Sequence, residues 1–309
     1  IQRGDYKEVV QEKLKTYDYL WKVLVYGSYL DFNLMTRLKK SFSKVSDIIY
    51  GDGFLVKQGL KRTDGDKRID ISEIVGWDFL DTSGKGDKKE IQPFFIIPKH
   101  KKWLDSSVGY IYRNADKSVY TGLFKPFTLL ITEGVDKSFK PRCAILNHNA
   151  VFTSSITAIK GDLTVLKTLN GLFNSLLFPY FVLQNSSYLG IEREQTNDKE
   201  DKFSLPYIAN NEIIKSTEKI EKILISKYKL ENNLVPANHI ESEVFSEKLN
   251  LNKTVLSAFS FSEQEIDLLN YATEITIPMI MKHKGYERIF KPLKLENDII
   301  SEYINLFFE

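Results

Sequence analysis

The spacing of hydrophobic residues changes along the chain and predicts regions of different secondary structure. Hydrophobic residues recur at helical spacing over residues 6–26 and again over 31–43, where Asp31 is a candidate N-cap. From Ile48 to Ile159, short apolar or alternating runs are separated by glycine, proline, asparagine and aspartate, which predicts strands joined by loops. The strands with the clearest pattern are Phe94–Ile97, Tyr110–Tyr112, Thr128–Thr132, Cys143–Leu146 and Ser155–Ile159.

The helical period returns in the second half of the chain. Residues Leu163–Leu183 carry a broad apolar face, so this helix is predicted to pack into the core. An amphipathic helix is predicted over residues 210–231, and the sequence Ser-Glu-Gln-Glu at Ser262 is a capping-box pattern that predicts another helix. An apolar run at Ile299–Phe308 predicts a final helix.

Together these patterns predict an α+β protein with two parts. The first is a mixed α/β body over residues 1–208 that begins with a linker helix, and the second is a mostly helical region over 209–309.

Charged residues are unevenly distributed along the chain. Residues 1–190 hold 28 lysines and arginines against 20 acidic residues, whereas the rest of the chain holds 15 against 21. The α/β body is therefore the part expected to attract a polyanion.

Composition excludes several classes of protein. With 42% hydrophobic and 13% aromatic residues, the chain has enough apolar material for a folded core. Its one cysteine, Cys143, excludes an internal disulfide, lies in an apolar run that predicts burial, and fits a reducing cytoplasm. The four histidines show no metal-ligand spacing. No run of 18 apolar residues occurs, so no membrane span is expected.

The sequence lacks some catalytic motifs entirely, and others match in residue type but not in their surroundings. The chain has no Pro-Pro, and hence no Asp/Asn-Pro-Pro-Tyr/Phe motif to hold a flipped adenine. Gly51-Asp52-Gly53 lacks the later glycine of a cofactor-binding turn. The Asp/Glu-x-Lys pattern of metal-dependent nucleases occurs only in polar loops or near the terminus, at Asp5-Tyr6-Lys7, Asp87-Lys88-Lys89 and Glu200-Asp201-Lys202. No catalytic or metal-binding residue is predicted in this chain.

Basic residues of the α/β body are the candidates for nucleic-acid contacts. Lysine and arginine supply affinity and register through phosphate contacts. The candidate phosphate contacts are Lys57, Lys61, Arg62, Lys99, Lys101, Lys102 and Lys125. Base edges are read by arginine on guanine and by glutamine or asparagine on adenine. Gln58, Arg113 and Asn114 are therefore the candidates for direct base contacts.

Three segments, in this order, resemble a known family. The first is LWKVLVYGS at Leu20–Ser28, with Asp31 close after it. The second is YTGLFKPF at Tyr120–Phe127, followed by a predicted strand and by Arg142-Cys143-Ala144. The third is LKTLNGLFNS at Leu166–Ser175, followed by Tyr180-Phe181 and Leu205-Pro206. Their order and spacing resemble the target-recognition domains of N6-adenine DNA methyltransferases, in the TaqI-like and type I specificity form, which single-chain restriction–methylation enzymes also carry. The resemblance covers residues 20–208.

The resemblance implies a module that binds double-stranded DNA in a sequence-specific way. Because the methylase motifs are absent, methyl transfer and its cofactor S-adenosylmethionine are expected in a separate methyltransferase domain, which would be a second partner. Trp21, Tyr26 and Gly27 would then fix the junction with that domain, and the helices after residue 208 resemble the spacers of related phage-defence methylases. Two alternatives stay open. The chain could be a protein-interaction module of a phage-defence complex, or an unrecognised metal-dependent nuclease.

Overall fold

The computed structural model has an α+β fold with helices around two faces of an antiparallel sheet. The residues that the structure describes are 8–62, 73–80, 90–97, 110–111, 117–191, 195–232 and 238–282. The predicted helix at Ile299–Phe308 and the triplets Asp5-Tyr6-Lys7 and Asp87-Lys88-Lys89 lie outside them. In chain order, the described α-helices are α1 Gln11–Thr16, α2 Leu20–Tyr26, α3 Tyr29–Ser41, α4 Val45–Gly51, α5 Lys117–Leu123, α6 Leu163–Asn174, α7 Leu177–Asn185, α8 Asn211–Asn232, α9 Asn238–Ala258, α10 Glu263–Tyr271 and α11 Ile277–Lys282. Two short π-helices are Asp198–Lys202 and Ala272–Thr276.

Four strands make the central sheet, and shorter strands pair around it. The described strands are β1 Ser43–Lys44, β2 Leu55–Gln58, β3 Lys61–Arg62, β4 Asp78–Leu80, β5 Tyr110–Ile111, β6 Thr128–Val135, β7 Pro141–Leu146, β8 Ala150–Phe152, β9 Ile156–Lys160 and β10 Pro206–Tyr207. The central sheet has the order β2-β9-β6-β7, and each of its neighbouring pairs is antiparallel. The strands predicted at Thr128–Thr132, Cys143–Leu146 and Ser155–Ile159 are confirmed as β6, β7 and β9.

The strand predicted at Phe94–Ile97 is wrong. This segment forms only isolated bridges, from Ile96 to Ile91 and from Phe94 to Ala144. The backbone of Phe94 has φ = 73°, in the left-handed region. That conformation turns the chain out of the extended direction, so the run cannot continue as a strand although its side chains are apolar.

Both faces of the central sheet are buried, which explains the apolar runs of its strands. Leu129 and Ile131 of β6 point to the face that α6 covers, and they join the larger core cluster. Leu130 points to the opposite face and packs with Phe152 and with Tyr120 of α5. Successive side chains alternate between the two faces of a strand, so a strand buried on both sides needs apolar residues at nearly every position.

The predicted helix over residues 6–26 is two helices. Residues between Thr16 and Leu20 leave the helical path, and Tyr17 is extended, with φ = −119° and ψ = 93°. The rings of Tyr17 and Tyr19 pack against Phe32 of α3, at centroid distances of 5.1 and 5.9 Å. Aromatic packing on α3 therefore accompanies the break that helical periodicity alone did not show.

Asp31 does not cap α3 from the position that the sequence suggested. The N-cap is Ser28, and Asp31 lies at the third helical position of a capping box. Its Oδ2 accepts hydrogen bonds from the backbone N–H and the hydroxyl of Ser28, at 2.8 and 2.9 Å. The other oxygen accepts from the hydroxyl of Tyr180 at 2.9 Å, which ties α3 to α7. Burial raises the pKa of the Asp31 carboxyl, while these donors oppose that shift.

The predicted helix over Leu163–Leu183 is also divided, at Ser175. Ser175 is extended, and its hydroxyl donates to the carbonyl of Leu172 at 2.8 Å and accepts from the N–H of Leu177 at 3.2 Å. One side chain thus satisfies backbone groups at the end of α6 and the start of α7. Asn174 donates to the carbonyl of Cys143 at 3.0 Å. Asn174 and Ser175 are therefore packing and capping residues.

The C-terminal helices pack on the α/β body. The helix predicted over residues 210–231 is confirmed as α8, and Ser262 caps α10 through a capping box with Glu265. Helix α9 was not predicted. Residues of α8, α9 and α10 share the larger core cluster with α6. Because the two predicted parts share this core, the division into domains at residue 208 stays a prediction.

Among the described residues, no helix combines the length and apolar character needed to cross a membrane.

Gly171 permits the close approach of α6 to α8. A Cβ at this position would lie 2.6 Å from both Ile213 Cγ2 and Thr217 Oγ1. We expect Gly171→Ala to lower the free energy of unfolding by about 1–3 kcal/mol, because overpacking outweighs the better helix propensity of alanine. The control is Gly122→Ala in α5, where a Cβ meets nothing within 4 Å, and it should be neutral or stabilising. Urea unfolding measures both, and equal effects would contradict the close approach.

Candidate functional site

Four lysines lie on or close to strands β2 and β9 of the central sheet, and we call them the basic edge: Lys57, Lys61, Lys125 and Lys160. Strand β2 is an outer strand of this sheet, and Lys57 on it is exposed, as is Lys61 on β3 just beyond. Lys57 pairs with Ala158, while Lys160 pairs with Leu55 two residues away. Lys57 and Lys160 are therefore diagonal neighbours on the same face, about 7–8 Å apart at the backbone.

Lys125 extends the basic edge at the turn before β6. Lys125 is exposed, and the Nζ of Lys160 donates to the carbonyl of the next residue, Pro126, at 3.0 Å. Partial burial lowers the pKa of Lys160, and the nearby ammonium of Lys125 lowers it further. Lysines on an edge strand discourage pairing with another chain, and the same lysines can contact phosphates. The basic edge can therefore hold an anion between neighbouring lysine ammonium groups.

Gln58 lies on the opposite face of β2, at the rim of a polar cavity. Its side-chain amide donates to the carboxylate of Glu133 at 2.7 Å. The cavity has a volume of about 260 Å³ and is lined by Gln58, Glu133, Tyr188, Gln195, Thr196, Asn197 and Asp198. We call it the polar pocket. Its lining offers amide, hydroxyl and carboxylate groups, which can bind the polar edge of a ligand.

An ion pair between the buried Lys202 and the partly exposed Asp198 lies beside the polar pocket. The side chain of Lys202 is fully buried, and its Nζ contacts Asp198 Oδ1 at 2.7 Å. Asp198 also accepts from the hydroxyl of Thr157, with distances of 2.7 and 2.8 Å to its two oxygens. Thr157 pairs with Gln58 across β2 and β9. Asp198 thus anchors the segment that lines the pocket to β9, which pairs with the strand that carries Gln58.

Asp201 and Lys22 form a second buried group of charges. Asp201 is fully buried and accepts from the backbone N–H of Asn197 at 2.7 Å and the hydroxyl of Ser186 at 3.1 Å. Burial raises its pKa to about 6, against these donors. Burial lowers the pKa of Lys22 to about 8, although the charge of Asp201 opposes the shift, and Lys22 donates to the carbonyl of Leu189. These contacts make Asp201 and Lys202 structural residues rather than nuclease ligands.

Two kinds of reactive centre, a metal cluster and an activated thiol, are absent from the described residues. Within them, no three histidine, cysteine, aspartate or glutamate side chains are grouped so as to hold a metal ion. Cys143 is buried as predicted, and burial raises the pKa of its thiol well above the usual value. A thiol that stays protonated is a poor nucleophile. What the site offers is charge, polar groups and a pocket, which suit binding.

The structure brings some of the sequence-predicted site residues together. Lys57 and Gln58 lie on β2, Lys61 lies on β3 three residues further along, and Lys125 lies beside Lys160. Arg62 lies in β3, and only its backbone is described. The predicted residues Lys99, Lys101, Lys102, Arg113 and Asn114 lie outside the described residues.

Sequence reasoning did not find Lys160 or the partners of Gln58. Lys160 ends an apolar strand, where it gave no signal, and Glu133 and Asp198 become neighbours of Gln58 only through strand pairing and a turn of the chain. Among the residues of the proposed junction, Trp21 is 61% exposed, and Tyr26 donates to the carbonyl of Gly190 at 3.1 Å. The role of that junction stays a prediction.

Comparisons with known proteins give a weak structural match. No protein-family model and no curated protein matches the chain. Among solved structures, the chain is similar to the Type IIL restriction–modification enzyme MmeI in complex with DNA, with 19% sequence identity and a TM-score of 0.33. The similarity covers 48% of this chain and 21% of that enzyme. The chain thus matches about a fifth of the MmeI chain, and a likeness this low assigns it no activity.

Proposed function

We propose that this chain is a sequence-specific DNA-recognition module of an adenine-specific DNA methyltransferase or restriction–modification enzyme. The observation that carries the proposal is the basic edge beside Gln58. Lys57 and Lys61 are exposed on either side of Gln58 along the chain, and Lys125 and Lys160 extend the positive charge. Phosphate contacts position a protein on DNA, while a glutamine amide can read the edge of an adenine.

The hydrogen bond to Glu133 supports a reading role for Gln58. A side chain that reads a base must be held in one orientation, because a mobile amide gives little discrimination between bases. The 2.7 Å bond to Glu133 and the pairing of Gln58 with Thr157 restrain this residue. Because Gln58 lies on the face of β2 opposite to Lys57 and Lys160, we expect the DNA to meet the outer side of β2, with Gln58 reaching a base from the polar pocket and the lysines of the basic edge on the phosphates.

A second part of the proposal concerns chemistry and partners. We assign methyl transfer and S-adenosylmethionine to a separate methyltransferase domain. That domain is the second partner besides duplex DNA, and we expect a cytoplasmic location.

An apolar groove of about 490 Å³ lies between α1, α2 and α3, and Tyr29 at its rim is 62% exposed. Exposed apolar surface of this kind is typical of protein contacts, so we propose that the methyltransferase domain packs here.

The proposal is tested by changing the charge of the basic edge. We expect Lys57→Gln/Lys61→Gln/Lys125→Gln to weaken binding of a mixed-sequence duplex by about tenfold at moderate salt, because each lysine neutralises a phosphate. The slope of log affinity against log salt should fall by about three. Fluorescence anisotropy of labelled duplex, measured over a series of salt concentrations, gives both quantities.

A matched triple variant separates this effect from a general loss of charge. Lys215, Lys222 and Lys253 are exposed on α8 and α9, and their replacement with glutamine removes the same charge from the helical region. This control should leave the affinity for duplex DNA nearly unchanged. No binding of the unaltered chain at low salt, or equal losses in the two triple variants, would count against DNA recognition by the basic edge.

A further inference from the structure

The turn that leads into β6 holds an exposed phenylalanine in an unfavourable backbone conformation. Phe127 has φ = 62°, in the left-handed region, and its side chain is 60% exposed. A bulky side chain in this region is strained, because its Cβ crowds the backbone carbonyl. Phe94 and Phe139 also have positive φ, but their rings are 1% and 0% exposed. Core packing offsets the strain in those two residues and does so far less in Phe127.

The backbone around Phe127 is held firmly. Its N–H donates to the carbonyl of Leu146 at 2.7 Å, and the hydroxyl of Thr128 donates to the carbonyl of Lys125 at 2.9 Å. The Nζ of Lys160 donates to the carbonyl of Pro126 at 3.0 Å. Directly after Phe127, β6 enters the buried core. The ring therefore projects from a rigid turn, and rigid elements position functional side chains more precisely than mobile loops do.

Two lysines lie at the turn that carries this ring. Lys125 is exposed and forms no ion pair with any part of the chain that the structure describes, and the Nζ of Lys160 lies against the same turn. Lys57 is the next cation along the face of the sheet. An aromatic ring with lysines beside it is suited to nucleic acid, where phosphates flank stacked bases. A hydrophobic protein partner would not need these charges.

We propose that Phe127 is an aromatic wedge that inserts its ring at a base step of the bound duplex, while Lys125 and Lys160 hold the adjoining phosphates. This proposal rests on the proposed DNA-binding function. Apolar side chains inserted at a base step partly unstack it and kink the duplex, and the kink brings more DNA against the protein. Glycine would adopt the same backbone without strain, so the phenylalanine is explained by a task for its ring.

The test is to remove the ring and measure binding and bending separately. We expect Phe127→Gly to weaken duplex binding about tenfold while the salt slope stays unchanged, because stacking is lost and no charge is. Energy transfer between dyes at the two ends of a mixed-sequence duplex should report a bend with the unaltered chain and a smaller bend with the variant. Phe127→Trp should keep both, and Phe245→Ala, which removes a 65% exposed ring from α9, should change neither.

The outcomes distinguish the wedge from the function on which it rests. The midpoint of urea unfolding should not fall in Phe127→Gly, because the strain is relieved, and Phe127→Leu decides the question if the glycine variant does not fold. Unchanged affinity and bend in these variants, with weaker binding when Lys57, Lys61 and Lys125 are replaced, would overturn the wedge and leave DNA recognition standing. If the unaltered chain fails to bind duplex at low salt, both proposals are wrong.

Discussion

Replacing Lys202 with methionine is expected to lower the free energy of unfolding by about 3 kcal/mol. The side chain of Lys202 is fully buried and contacts Asp198 at 2.7 Å, while the Asp198 side chain is 24% exposed. Methionine has a similar shape but no charge, so the carboxylate of Asp198 keeps its hydrogen bond from Thr157 and loses its counter-ion. Removing one partner of a buried pair leaves an uncompensated charge, and because Asp198 is partly exposed to water, the loss is expected at the low end of the range for such pairs.

Equilibrium unfolding in urea at neutral pH measures this effect, and two further variants define its cause. Lys215→Met removes an exposed lysine that contacts Glu212 at 2.6 Å, and a loss of no more than about 0.5 kcal/mol is expected there. Lys202→Met/Asp198→Asn should recover part of the stability, because the lone carboxylate is gone. A loss in Lys202→Met as small as that in Lys215→Met would show that the buried pair contributes little.

Replacing Asp201 with asparagine is expected to raise the stability at about pH 7.5 by about 2 kcal/mol. The pKa of Asp201 is about 6 in the folded chain, above its ordinary value of 3.8, because burial disfavours the charge. The folded state therefore binds this proton more tightly than the unfolded state. Stability from Asp201 is present below about pH 4 and is lost as the pH rises through about 6, at roughly 1.4 kcal/mol per unit of pKa difference.

Asparagine retains the acceptor that Asp201 presents and carries no charge. Its carbonyl can accept from the N–H of Asn197 and the hydroxyl of Ser186, while its NH₂ replaces Asp201 Oδ1, a buried oxygen without a hydrogen bond. Loss of the attraction to Lys22 and the burial of an NH₂ without an acceptor both reduce the gain, which is why we expect less than the full pKa difference implies. Chemical denaturation between about pH 4 and pH 7.5 measures the difference between variant and parent. A difference that does not change with pH would contradict the burial of a charged Asp201.

The main elements of the fold could be predicted because their cause is local. Strands β6, β7 and β9 have apolar residues on both faces, and α8 and α10 carry the period or the capping box that makes a helix. The breaks could not be predicted. Ser175 divides an otherwise continuous helical pattern by bonding to the backbone on both sides, and Phe94 interrupts an apolar run through its φ angle. Neither event leaves a signal in hydrophobic periodicity.

The candidate site shows the same division. Lys57, Gln58 and Lys61 could be selected from residue type alone, since phosphate contact requires cations and adenine reading requires an amide. Lys160, Phe127, Asp198 and Lys202 could not. Lys160 joins the basic edge because β9 pairs with β2. Lys202 and Asp198 are four residues apart in a charged run, and a charged run is usually exposed, but here Lys202 is buried and Asp198 contacts Thr157.

By itself, the sequence determined that this protein is α+β, that its charge is positive in the α/β body and negative in the helical region, and that it has no recognisable catalytic motif. These properties depend on residue type and local period. Only the tertiary structure decided that Lys57 and Lys160 share an edge, that Gln58 is held by Glu133, and that the Phe127 ring stays in solvent. The reason is physical, because strand register and burial come from contacts between residues distant in sequence.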